Sequence, residues 1–103
     1  MYARSSPDFS ALSMLRMGNI LSDKGRLGEA QELFEAAYQL DSNNHDVLFA
    51  HALVCMRLGD RDGACHYLGG IKTRASRDPS LRSLLMKIEN TSEFKPILKL
   101  VGL

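Results

Sequence analysis

Apolar residues recur along this chain at three- and four-residue spacing, in blocks separated by short polar or glycine-containing breaks. The first block, Phe9, Leu12, Met14, Leu15, Met17, Ile20 and Leu21, predicts a helix over roughly 7–23. Ser6 can cap it, Pro7 suits its first position, Asp8 complements its dipole, and Gly25 closes it. A second helix over roughly 27–40 sets Leu33, Phe34, Ala37 and Leu40 against Glu29, Glu32, Glu35 and Gln39. Asp41-Ser42-Asn43-Asn44 is a turn cluster, with Asn44 placed to cap the next helix. That third helix, roughly 45–58, is apolar nearly all round, from Val47 to Leu58, so it is either central or covered on two sides. Gly59 ends it, and Asp60 caps a fourth helix over roughly 61–74. Gly63, Gly69 and Gly70 each cost that helix up to ~1 kcal/mol against Ala, which predicts fraying or a kink in its late half. Asp78-Pro79 restarts the pattern, and Leu81, Leu84, Leu85, Met86 and Ile88 carry a fifth helix to about residue 89. After the break at Asn90-Thr91-Ser92 come Phe94, Ile97, Leu98, Leu100, Val101 and Leu103, expected to form a short helix capping the last apolar face. The alternative is a tail that docks on another protein.

The chain repeats itself at an offset of 34 residues. Gly25 maps to Gly59, Ala30 to Ala64, Phe34 to Leu68, Ala37 to Ile71, Gly18 to Ala52, Leu15 to Phe49 and Leu21 to Cys55. This period, with small and bulky residues at those offsets, resembles the tetratricopeptide repeat, a helix-turn-helix unit. The aromatic pair of the consensus is replaced by Met14 and Leu48 and by Leu21 and Cys55, and its proline by Ser42 and Ser76. The resemblance implies an all-α fold of helical hairpins in a single domain over 1–103. Repeat one covers 11–44, repeat two 45–78, and the fifth helix with its cap 79–103.

In this family the first helix of each hairpin lines a concave groove. By resemblance its groove positions fall on Leu12, Leu15, Asn19 and Ser22, on Asp46, Phe49, Leu53 and Met56, and on Ser80, Ser83, Lys87 and Asn90. The candidate partner-binding residues are Leu12, Leu15, Asn19, Phe49, Leu53, Met56 and Lys87. The third helix has more apolar residues than one buried stripe uses, and an exposed apolar groove accepts the apolar face of an amphipathic helix. The competing expectation is that the chain's own tail, or self-association, fills the groove. A carboxylate clamp of the co-chaperone kind would need Lys, Asn, Asn, Lys and Arg where Leu15, Asn19, Ala50, Ser80 and Leu84 stand, and only Asn19 survives.

A narrower resemblance covers roughly residues 45–90. Ala52-Leu53-Val54-Cys55-Met56-Arg57-Leu58-Gly59, then Ala64, Leu68 and Ser76-Arg77-Asp78-Pro79, looks like the small TPR-like chaperones of bacterial type III secretion. It implies a cytoplasmic chaperone that holds the amphipathic helix of a small secreted needle subunit, together with a second small co-chaperone, and that is a possible homodimer when alone. The runner-up is a general TPR adaptor or assembly subunit of a larger cytoplasmic complex.

Composition narrows the field further. A net charge of +1 argues against a nucleic-acid binder that works by neutralising phosphates. Residues 1–56 carry four basic and seven acidic residues, and residues 57–103 nine and five, which reads as solvated helix faces or as two ends suited to differently charged partners. No apolar run approaches membrane-spanning length, Met1 to Ser10 lacks a signal-like apolar centre, and two cysteines make no disulfide framework, so a reducing cytoplasmic setting is expected. His51 and Cys55 share a helical face, and Cys65 and His66 lie on the next helix, so a third reading is a zinc or redox protein. Adjacent Cys65 and His66 point about 100° apart, however, which disfavours one shared metal. No catalytic motif is evident, and no cofactor, metal or enzyme activity is expected.

Overall fold

The computed structural model describes residues 7–42 and 44–103, with side chains from Ala11 onward. Five α-helices follow in order: α1 Pro7–Asp23, α2 Leu27–Leu40, α3 His45–Leu58, α4 Arg61–Ala75 and α5 Arg82–Asn90. Single 3₁₀ segments precede and follow α5, at Pro79–Leu81 and Ser92–Ile97. The fold is all-α, with α1/α2 and α3/α4 as paired hairpins and the end of the chain as a cap. Ser6, the expected cap of α1, lies outside the described residues. No helix among the described residues is long and apolar enough to cross a membrane.

The two hairpin turns are built alike. Gly25 and Gly59 both have φ +84°, a left-handed conformation that a side chain resists. One residue later, the Arg26 N–H donates to the Leu21 carbonyl at 2.9 Å and the Asp60 N–H to the Cys55 carbonyl at 2.7 Å. These are the same bond one repeat apart, and they satisfy carbonyls that a helix end leaves free. Side-chain caps start α4 and α3: Asp60 accepts from the Gly63 N–H at 2.9 Å, and Asn44 accepts from the N–H groups of Asp46 and Val47, whereas α2 starts at Arg26 without one.

Two cores form, and α3 belongs to both. Val47, Ala50 and Val54 pack with Ala11, Leu15, Ala30, Phe34 and Ala37 of the first hairpin. Leu48, Ala52 and Cys55 pack with Ala64, Leu68 and Ile71 of α4, and with Ile88, Phe94 and Ile97 beyond it. Close helix approach depends on the small residues of the repeat: a Cβ on Gly18 would clash with the edge of the Phe34 ring. The late half of α4 does not fray or kink. Gly69 and Gly70 lie inside an unbroken helix, between the fully buried Leu68 and Ile71, so tertiary packing overrides their low propensity.

His51 is 2% exposed at the seam between the hairpins, stacked on Tyr67 at 4.1 Å and tilted against Phe34 at 6.3 Å. Its Nε2 has no hydrogen-bond partner. Burial outweighs the nearby charges of Glu35 and Asp60 and pushes its pKa below the ordinary value of 6.5. The unfolded chain therefore takes up this proton more readily than the folded one. Stability is fully present above pH ~6.5 and falls as pH drops below it, by up to about 1.4 kcal/mol per pH unit from this group. In His51→Phe that part of the slope of Tm against pH should disappear, as read by thermal melts between neutral and mildly acid pH.

Glycine substitutions test the packing account. Gly18→Ala should destabilise by about 1–3 kcal/mol through the Phe34 ring. Gly70→Ala should gain up to ~1 kcal/mol, because a Cβ there meets nothing within 4 Å. Urea denaturation of both variants reads the two signs.

Candidate functional site

With α1, α3 and α5 on one side of the molecule, a cleft of about 350 Å³ opens among them. Leu15 and Asn19 come from α1, Asp46, Phe49, Ala50 and Leu53 from α3, and Lys87 from α5. Leu15 and Ala50 form a buried floor, and Phe49 and Leu53 are half-buried above it. Asn19, Asp46 and Lys87 are exposed and supply the polar rim, with one charge of each sign. The cleft admits a few side chains of a guest. A whole helix, with a diameter of about 10–12 Å, would have to lie across its mouth.

Phe49 is fixed from two directions. Its ring meets Phe94 edge-on at 5.5 Å, and the Lys87 ammonium sits 4.6 Å from its centroid. Phe94 and Ile97, both wholly buried, plug the second core from the 3₁₀ segment Ser92–Ile97. The tail thus caps the array in cis and takes up part of the apolar surface that α3 has in excess. Leu98, Val101 and Leu103 add to the same packing.

Of the seven residues singled out from the sequence, Leu15, Asn19, Phe49, Leu53 and Lys87 line this one cleft. Leu12 stands outside it, 41% exposed on α1. Met56 also lies outside it, packed against the second core. Asp46 and Ala50 complete the lining. Ser22, another groove position by resemblance, is buried and accepts a hydrogen bond from the Arg57 guanidinium at 2.6 Å.

Arg57 is a long-range link that the sequence did not single out. It joins α1 to the tail, donating to Ser22, reaching Glu93 at 3.0 Å and standing 3.7 Å from Asp23. An arginine at the end of a helix carries no signal of such long-range partners.

A smaller cleft, about 240 Å³, lies between the hairpins at Tyr38, Leu48, His66, Tyr67, Gly70 and Arg74. Arg74 already donates to the Tyr38 hydroxyl and the Ser42 carbonyl. The cysteines are free, and burial together with Asp60 pushes the Cys55 thiol up to about 11, away from reactive thiolate. Among the described residues, no three or more His, Cys, Asp or Glu are grouped to hold a metal ion.

Paired helices joined by matching glycine turns, with a groove on the side of the first helices, define a helical-hairpin repeat protein. The tetratricopeptide repeat family model matches residues 21–88, and the chain belongs to that family. Searches of curated proteins and of solved structures returned no match.

The cap should be held by burial more than by charge. Burying Phe94 and Ile97 contributes roughly 1.5–3 kcal/mol each, against under about 1 kcal/mol for a partly exposed ion pair such as Arg57–Glu93. Phe94→Ala should therefore cost about 3–5 kcal/mol, and Arg57→Met clearly less, by urea denaturation. Equal losses would show that the arginine, and not the plug, holds the tail.

Proposed function

We propose that the chain is a TPR adaptor whose α1/α3/α5 cleft docks apolar side chains of a helical segment on a partner protein. TPR domains are non-catalytic protein–protein interaction modules, and family membership places the chain in that class. The observation that carries the finer reading is that an apolar floor with a two-signed rim stays open after the chain's own tail has docked. Apolar contacts on Leu15, Ala50, Phe49 and Leu53 would supply affinity. Asp46 and Lys87 would set orientation by favouring a base at one end of the guest and an acid at the other.

The narrower reading, a type III secretion chaperone that shelters the helix of a needle subunit, asks more of this surface. It needs a groove that covers a long helix face, and Phe94 and Ile97 occupy part of that side. It would require the tail to move, and nothing in the comparisons favours it over the adaptor.

Co-purification from the native host, with mass spectrometry, identifies the occupant, and variants then locate it. Leu53→Glu sets a carboxylate on the apolar wall above the floor and should weaken the complex at least about tenfold, or 1.4 kcal/mol, with helicity kept by circular dichroism. Met86→Glu, at a residue 61% exposed and outside the cleft, should bind normally. Normal binding by folded Leu53→Glu would remove the cleft from the account.

A further inference from the structure

The second helices of the two hairpins carry a site of their own. The cleft of about 240 Å³ between α2 and α4 has buried Leu48 of α3 as its floor and half-buried Tyr38 and Tyr67 as its walls. Both walls are held in place. The Tyr67 ring stacks on buried His51 at 4.1 Å and meets His66 edge-on at 5.2 Å, and the Tyr38 hydroxyl accepts from Arg74 at 3.2 Å. The half-buried Arg74 guanidinium holds two neutral oxygens, that hydroxyl and the Ser42 carbonyl, and takes part in none of the ion pairs among the described residues. With five N–H groups it keeps donors for an anion, and the Tyr38 hydroxyl has a proton to donate beside them. Glu35 stands one turn before Tyr38 on α2, and its charge acts on His51 and Tyr67. An acid entering the cleft is therefore repelled from that end and drawn to Arg74.

The α4 rim of this cleft is bare. Gly69 and Gly70 lie in mid-helix, where glycine weakens a helix, yet a Cβ on either would meet nothing within 4 Å. Packing inside the chain does not call for them, and a strip without side chains lets a second backbone come close. We propose that the α2/α4 cleft binds an extended segment of a partner protein, with one aromatic side chain between Tyr38 and Tyr67 and an adjacent acidic side chain on Arg74. The space admits one large side chain and not a helix, the arginine selects the acid, and the glycine strip passes the backbone. The site shares no residue with the α1/α3/α5 cleft, so it stands whether or not that cleft takes a guest. An adaptor with both would join two partners.

Titration of the full chain with acetyl-Ala-Phe-Glu-Ala-amide, followed by nitrogen–proton correlation NMR, tests this. Saturable shifts are expected at Tyr38, Tyr67, Gly70 and Arg74, and none at Asn19 or Leu53. Exchanging the peptide's Glu for Gln should weaken binding about fivefold or more, because it removes a charged partner from a half-buried arginine. Gly70→Leu sets a side chain on the bare rim and should abolish the shifts with Tm unchanged or higher. Leu53→Glu should leave them as they are. Four results would overturn the proposal: no shift with the peptide in the millimolar range, equal affinity for the Glu and Gln peptides, undiminished binding by folded Gly70→Leu, or N-acetylphenylalanine binding as tightly as the peptide. The last would make the ligand a free acid and not a protein segment.

Discussion

Everything in this fold depends on α3 burying two faces at once. Its Val47–Ala50–Val54 side completes the first hairpin, and its Leu48–Ala52–Cys55 side completes the second. Neither hairpin has a closed core without it. The small residues at the helix crossings keep the backbones near enough for one helix to serve both, as the contact of Gly18 with the Phe34 ring illustrates. His51 lies between the two cores as an aromatic spacer, and its burial there disfavours the protonated form.

A helix that serves two cores has one face left over, and the cleft opens on that face. The chain spends part of it on itself, since Phe94 packs edge-on against Phe49 and Lys87 covers the ring from α5. In the remaining cleft, Phe49 is thereby held in place over the buried Leu15 and Ala50. That apolar part is pre-organised, so a guest of the kind proposed would pay little to order it.

Helix positions, both hairpin turns, the caps at Asn44 and Asp60 and the repeat were legible in the sequence. Each is written in local chemistry: glycine where φ is positive, Asn or Asp before a helix, apolar residues at helical spacing. The share of α3 taken by the tail was less legible, because Phe94 and Phe49 meet only through tertiary packing. That contact, and the placing of Met56 against the second core, explain why the cleft is shorter than a line from Phe49 to Met56 suggests. The same reason hid Arg57, whose partners Ser22 and Glu93 are both more than thirty residues away. In α4 the local signal pointed the wrong way: Gly69 and Gly70 lower intrinsic helicity, yet Leu68, Ile71 and Ala75 secure that half of the helix from below.

The size of the cleft bears on what kind of binding it supports. With room for a few side chains only, its apolar contribution is limited, and a complex that used this cleft alone would exchange readily. Discrimination would then rest on the rim, where a guest of the wrong polarity opposes Asp46 or Lys87 and leaves Asn19 unpaired. An adaptor gains from that combination, because it must choose a partner without holding it permanently. A chaperone for an aggregation-prone helix needs the reverse, a long covered apolar face and slow release. The geometry of α1, α3 and α5, with the tail in place, fits the first requirement better than the second.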